Sequence, residues 1–360
     1  MPRRFVLLNP GPVNVTERVR KALLRPDICH REEEFNSLLS SVRRNLLKIF
    51  KIEKTHTVAF FSGQGTTALE AMLSSTLKKG HKVLVLSNGI YGERIKKILE
   101  IYGSGVVFLE TAVGDFPALS AIETLLKNTV SLHAVAMVHH ETSSGMLNPL
   151  RAVGQLAKKY KKIFIIDAIS SLGGEEINFK KDNIDFLAGT SGKCLHGFPG
   201  VSFVLVRKNK LSAISNTSRS LTMDLAATLK SETAGETRFT PVVQIFYAFD
   251  EALKELAGEG LARRIENYKK KNERLVRGFR KLGIVFLIDA HDRSHVLTAA
   301  WTPPRISYQK LHDALKKKGF VIYAGQSLLK DKIFRVANLG DVSEKDIDRF
   351  LTALYKILNS

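Results

Sequence analysis

The sequence predicts an α/β fold. A mostly parallel seven-stranded sheet carries helices on both faces, and a smaller α+β unit follows at the C-terminal end. Two observations predict it. Between residues 57 and 206, seven short, apolar, β-branched runs alternate with segments whose apolar residues recur at helical spacing. Near-continuous apolar strands joined by helices read as a parallel sheet buried on both sides. From about residue 240 the pattern changes to long helical stretches rich in Lys and Arg, with short extended runs between them. A chain of 360 residues with 44% hydrophobic content divides into roughly two units at about 150 residues each, and it buries about three quarters of its unfolded surface.

The expected strands are Thr57–Phe61, Lys82–Ser87, Val106–Leu109, Ala134–Val138, Ile163–Asp167, Phe186–Ala188 and Val201–Val206. Helical spacing marks Thr67–Leu77, Tyr91–Tyr102, Leu119–Leu126 and Leu150–Tyr160; in the second, Ile95, Ile98, Leu99 and Tyr102 form one stripe. Further on, Pro241–Leu256 and Leu261–Leu282 read as helices, as do Tyr308–Lys318 and Val342–Leu358. The extended runs there are Ile284–Leu287, His295–Trp301, Phe320–Tyr323 and Phe334–Val336.

Composition excludes several classes. Lys and Arg number 55 against 35 Asp and Glu, a formal net charge of +20. The basic clusters Lys158-Lys159, Lys161-Lys162, Lys269-Lys270-Lys271 and Lys316-Lys317-Lys318 are scattered over segments of helical period, which reads as solvated outer faces. No basic and aromatic residues interleave as base stacking requires, so nucleic-acid binding is not expected. No apolar run approaches the roughly 18 residues of a membrane span. Met1-Pro2-Arg3-Arg4 is followed by an apolar run, Phe5–Leu8, too short for a signal peptide. Cys29 and Cys194 cannot form a disulfide scaffold or a four-thiolate zinc site, and no metal is expected. These features predict a cytoplasmic, reduced protein, in which the acceptor patterns Asn14-Val15-Thr16 and Asn216-Thr217-Ser218 carry no meaning.

Parallel sheets bind ligands at the carboxyl ends of their strands, and five such ends carry chemistry. After Thr57–Phe61 comes Ser62-Gly63-Gln64-Gly65-Thr66-Thr67. Its glycines, hydroxyls and helix start suit an anion, although a plain strand-to-helix turn has the same pattern. Asp167 closes an apolar strand, where it can pair with a cationic ligand group or cap a following helix. Lys193, in Gly189-Thr190-Ser191-Gly192-Lys193-Cys194, sits among small residues where it has nothing to pack against; a lysine in a desolvated pocket can attack a carbonyl. Tyr91, in Ser87-Asn88-Gly89-Ile90-Tyr91-Gly92, can lie on a planar ligand or pack beneath its own helix. In His139-His140-Glu141-Thr142-Ser143-Ser144-Gly145 the two histidines point to opposite sides of an extended strand, which disfavours a metal pair, whereas Thr142 and Ser143 suit a phenolate oxygen. Pyridoxal phosphate needs this combination: a helix terminus for phosphate, a flat aromatic, an acid for the ring nitrogen and a lysine for the aldehyde.

With these motifs the chain resembles a class V aminotransferase of fold type I over nearly its whole length. Leu8-Asn9-Pro10-Gly11-Pro12-Val13, Met137–Pro149, Asp167–Gly174 and Gly192-Lys193-Cys194 carry the resemblance. Within the class, Met146-Leu147-Asn148-Pro149, Lys193-Cys194, Arg219–Leu225 and Gly319–Tyr323 are most similar to the branch that uses 2-aminoethylphosphonate as amino donor and pyruvate as acceptor. Cys29–Phe35 instead follows a pattern met more widely in the class. The alternative is an alanine– or serine–glyoxylate transaminase.

The resemblance implies an arm over residues 1–20 near the active site, a large pyridoxal 5'-phosphate domain over 21–240 and a small domain over 241–360, joined by a long helix at about 241–282. It implies that Lys193 holds the cofactor aldehyde and moves the substrate proton, that Asp167 holds the ring nitrogen, and that Tyr91 stacks on the ring. Thr142 would reach the phenolic oxygen, and Gly65, Thr66 and Thr67 the phosphate. Thr240 would reach the phosphate of a neighbouring subunit in a homodimer with shared sites. Arg335 and Gly11 would face the substrate, Arg335 as the anion clamp. Gly192 stands where many relatives carry a polar residue that touches the phosphate.

Overall fold

A computed structural model describes residues 5–214 and 218–359. Met1–Arg4, and Asn216-Thr217 of the second acceptor pattern, lie outside the described residues. The main sheet has seven strands, in the spatial order His56–Gly63, Gly200–Arg207, Phe186–Thr190, Ile163–Asp167, Leu132–Val138, Lys82–Ser87, Gly105–Glu110. Only Gly200–Arg207 runs antiparallel to its neighbours, so the sheet is mostly parallel, as the alternation predicts.

Period-two patterning explains how the sheet is covered on both sides. Along His56–Gly63, Val58 and Phe60 join one apolar layer while Ala59 and Phe61 join the other. Phe203 and Leu205 alternate with Val204 and Val206 in the same way. One layer is closed by helix Glu33–Ile49, through Phe35, Leu38, Val42 and Leu46, and by helix Val243–Glu259, through Phe246, Phe249 and Leu253. The other is closed by helices Gly65–Thr76 and Ile90–Ile101, through Ala68, Met72, Ile95 and Leu99.

The stretch that the resemblance implies as one long linking helix over about 241–282 is two helices, as the helical spacing of Pro241–Leu256 and Leu261–Leu282 predicts. Val243–Glu259 stops at Gly260, whose φ of +85° breaks the ladder, and Leu261–Lys281 begins beyond it. The first of the pair packs on the main sheet, whereas Leu275 and Phe279 of the second pack with Phe334 and Phe350 in a separate core. That core covers a three-stranded antiparallel sheet, Leu297–Trp301, Ile333–Ala337 and Tyr323–Ala324. Two expected extended runs are corrected. Ile284–Leu287 makes only an isolated bridge, Phe286 to Ala300. Phe320–Tyr323 is divided: Phe320–Val321 pairs in parallel with Val6–Leu7, whereas Tyr323–Ala324 pairs with Arg335 and Phe334. No described helix is long and apolar enough to cross a membrane.

Candidate functional site

Register aligns the strand ends. Val138 lies beside Asp167 and Asp167 beside Ala188, so the segments that follow these strands emerge at one edge of the sheet. At the first strand end, Gln64 precedes helix Gly65–Thr76 without a side-chain capping bond. Thr67 N–H donates to the Gln64 carbonyl at 2.8 Å, and the N–H groups of Gly65 and Thr66 keep their capacity for an external acceptor. A Cβ on Gly63 would collide with Thr67 Oγ1, and one on Gly65 would lie 2.7 Å from Ile169. The result is a tight, side-chain-free turn at a helix N-terminus, a cradle that fits a phosphate.

Asp167 is buried at the end of its strand. Oδ1 accepts the Ile169 N–H at 3.0 Å, but no helix follows, so a turn bond stands where a helix cap was one option. Burial pushes its carboxyl up to about 6, against the Ile169 bond and the nearby charges of Arg94 and Lys193. A cationic ring nitrogen would relieve this burden, so the site fits a protonated pyridine. Lys193 lies in a turn after Phe186–Thr190. Its Nζ donates to the carbonyl of Pro10. Burial lowers the ammonium to about 8; Arg335 and Arg94 act in the same sense, against Cys194 and Asp167. Gly11 closes over this amine, because a Cβ there would collide with Lys193 Nζ. Gly192 has no room for a side chain: a Cβ would lie 2.9 Å from the backbone nitrogen of Pro199. A polar side chain at this position is therefore sterically closed to this chain.

Tyr91 sits in the first turn of helix Ile90–Ile101, with its N–H bonded to Glu141 Oε2 at 3.1 Å. The Arg94 guanidinium lies 4.6 Å from the centroid of the Tyr91 ring, and its Nη1 donates to Thr66 Oγ1 at 3.2 Å. Arg94 therefore ties the aromatic to the phosphate cradle. Glu141 is buried, and burial raises its carboxyl against bonds from Ser143 and Tyr91. His139 bonds Ser171 Oγ at 3.0 Å, and burial lowers both His139 and His140 to about 4, which leaves them neutral.

Thr142 meets Arg335 through its backbone: its carbonyl accepts Arg335 Nη1 at 2.8 Å. Arg335 also donates from Nε to the Ala324 carbonyl at 2.8 Å and from Nη1 to Gln326 Oε1 at 3.2 Å. It is 2% exposed. Among the described residues it has no carboxylate partner within ion-pair distance, an unusual condition for a buried cation. An anion entering beside Lys193 would supply the missing charge.

The structure thus brings Gly11, Asp167 and Arg335 to the Lys193 amine, ties Thr142 to Arg335 through its carbonyl, and joins Tyr91 to Thr66, in the turn with Gly65 and Thr67, through Arg94. It does not bring in Thr240, which is exposed and makes no hydrogen bond with the other described residues. Sequence reasoning missed Arg94, Glu141 as a buried acceptor, and Gln326. For Arg94 a signal existed: it follows Tyr91 by three residues, which places both on one helix face.

A family model for "Aminotransferase class-V" matches residues 17–349. Among curated relatives, a 2-aminoethylphosphonate–pyruvate transaminase of Klebsiella pneumoniae is 37% identical over 98% of this chain and 97% of its own. One of Salmonella paratyphi B shows the same identity and coverage. Among solved structures, an aspartate aminotransferase from Thermus thermophilus is 27% identical with a TM-score of 0.90, covering 98% of this chain and 99% of its own. An alanine–glyoxylate aminotransferase from Nostoc is 25% identical with a TM-score of 0.93, covering 99% and 96%.

Proposed function

The chain belongs to the class V aminotransferases, and from that premise we propose that it transfers the amino group of 2-aminoethylphosphonate to pyruvate, giving phosphonoacetaldehyde and L-alanine, with pyridoxal 5'-phosphate as cofactor. The observation that carries the reading is Arg335: a buried guanidinium with no carboxylate within ion-pair distance among the described residues, in electrostatic contact with Lys193. Charge-assisted hydrogen bonds from the Nη2 of this cation suit the carboxylate of alanine or pyruvate. In the other half-reaction the same cation suits the phosphonate, so one anion site serves both substrates.

When bound, pyridoxal 5'-phosphate supplies an aldehyde for the amino group and a protonated ring that accepts the electron pair of the reacting carbon. The remaining roles fall to this chain. The helix terminus at Gly65, with Thr66 and Thr67, is proposed to hold the phosphate, Tyr91 to support the ring face and Thr142 to face the phenolic oxygen. Asp167, ionised above about 6, pairs with the ring nitrogen. Lys193 Nζ, neutral in a substantial fraction near pH 8, removes the proton from the carbon bearing nitrogen and returns it in the reverse half-reaction. Gly11 and Pro10 roof the amine and exclude water from it. Arg335 fixes the anion so that the reacting carbon lies against Lys193.

Thr240 belongs to the proposal in a different way. It is exposed beside Phe239, while Thr237 Oγ1 and Arg238 Nη1 are buried without partners. A second copy of the chain seated here would cover this segment and receive Thr240 at its own phosphate cradle, making a homodimer with shared sites. A cytoplasmic location is proposed with it, since both cysteines are free.

The test is a single-turnover absorbance experiment on the cofactor-loaded protein, with 2-aminoethylphosphonate, L-alanine and L-serine added separately and no keto acid present. Bleaching of the visible band by aminoethylphosphonate and alanine is expected. Bleaching by alanine or serine alone would move the activity to the glyoxylate branch. Lys193→Ala is expected to abolish the reaction and keep the fold, and Arg335→Ala to weaken both donors.

A further inference from the structure

Arg335 has five N–H donors, and three are already committed: Nε to Ala324, and Nη1 to Thr142 and Gln326. The Gln326 contact differs from the other two, because it comes from a side chain. A guanidinium only donates, so the group facing it must be the amide oxygen. That fixes the Gln326 amide with Oε1 on Arg335 and with the Nε2 donors turned away from it. No hydrogen bond to Nε2 is made by the described residues.

The backbone beneath Gln326 is held rather than loose. Gly325 N–H bonds the Ile333 carbonyl at 3.1 Å, and the Gln326 carbonyl accepts Leu329 N–H at 3.0 Å. A Cβ on Gly325 would collide with the Leu329 carbonyl, so the turn is as tight as a glycine allows. Gln326 thus presents its amide beside Arg335 at little ordering cost on binding.

With Nε and Nη1 committed, the two N–H groups of Nη2 remain for an incoming anion, enough for two oxygens. A phosphonate has three oxygens in a tetrahedral array, and one Arg leaves the third without a donor. Building on the phosphonate reading above, we propose that Gln326 is a specificity-determining residue: its Oε1 holds Arg335 while its Nε2 donates to the third oxygen of a phosphonate. The amide therefore favours a tetrahedral anion and makes no direct bond to a carboxylate.

The test uses the holoenzyme and two variants. Gln326→Met keeps the length of the side chain and removes the amide. The single-turnover rate constant with 2-aminoethylphosphonate is expected to fall by about 10- to 100-fold, the size of a lost hydrogen bond to a charged group, while that with L-alanine, which loses only the support of Arg335, falls by about tenfold less. As a binding readout free of turnover, methylphosphonate should protect the cofactor-free chain against thermal unfolding less in the variant, with a smaller loss of protection by acetate. Gln326→Glu places a carboxylate on Arg335 and is expected to suppress both donors. Equal losses with both donors in Gln326→Met, or unchanged use of aminoethylphosphonate in a variant of an active enzyme, would overturn the specificity role alone. Unchanged L-alanine kinetics in Gln326→Glu would overturn the contact with Arg335. A wild-type enzyme inert to aminoethylphosphonate would overturn the phosphonate reading and this inference with it.

Discussion

Replacing Gly11 with Ala separates the cost of backbone strain from the cost of a displaced amine. Gly11 has a φ of +129°, a conformation L-residues rarely adopt. Forcing Ala into it costs about 1–3 kcal/mol, offset by roughly 0.4–1 kcal/mol from the lower entropy of the unfolded chain. A net loss of about 1–2 kcal/mol leaves the protein folded and lowers Tm by roughly 1–3 °C in a chain of this size. The new Cβ would also overlap Lys193 Nζ and lie 2.9 Å from Cε and 3.1 Å from Cδ, well inside the usual carbon contact of about 3.5–4.0 Å. The lysine side chain is flexible, so it moves before the backbone does, and its amine shifts by about 1 Å. A misplacement of that size costs about 100-fold in turnover. The expected result is therefore a small drop in Tm by differential scanning calorimetry beside a loss of about 100-fold in kcat. Turnover within about threefold of wild type would refute the reasoning, because it would mean that the roof over Lys193 does not position the amine.

Three further outcomes follow from the same geometry. In the cofactor-free chain, Asp167→Asn is expected to stabilise at pH 7.5: the folded carboxyl titrates near 6 against 3.8 unfolded, so wild-type stability falls as pH rises through that window. The variant escapes a cost of about 1–3 kcal/mol, read from denaturant melts that should converge near pH 4. The rate at which the cofactor-free chain takes up pyridoxal 5'-phosphate should rise with pH and level off above about 8, because burial holds Lys193 there instead of at 10.5; a rise continuing to pH 10 would contradict the buried amine. Thr240→Ala should leave Tm unchanged, since Thr240 is exposed, yet weaken cofactor affinity by about tenfold in an absorbance titration; undiminished affinity would argue against a shared site.

The main sheet was legible because its strands are buried on both faces, which leaves runs such as Ile163-Phe164-Ile165-Ile166 without polar interruption. Asp167 and Lys193 were legible for the same reason, as charges at the ends of strands where packing has no use for them. Arg94 was not, because Glu93, Lys96 and Lys97 surround it and make its helix read as a solvated face. The break at Gly260 was visible only as a single residue between two helical periods. The pairing of Val6–Leu7 with Phe320–Val321 involves two residues on each side, too few for any periodicity. Gln326 lies in a polar turn, and its meaning comes entirely from the arginine opposite. No reasoning on one chain places Thr240, whose partner would belong to another.

The arm that roofs Lys193 is anchored at the far end of the chain. Val6 and Leu7 pair with Phe320 and Val321, the Leu8 carbonyl accepts Ala337 N–H, and Asn14 bridges Gly340. Val6 and Leu7 therefore wait for partners made roughly 300 residues later, about 15–60 s at ordinary synthesis rates. Until then Pro10 and Gly11 have no fixed place and the strand bearing Arg335 does not exist. A nascent chain can complete the main sheet, with Asp167 and Lys193 on it, well before Arg335 is made. The roof over Lys193 and the strand bearing Arg335 thus take their places together, after the sheet that carries Asp167 and Lys193.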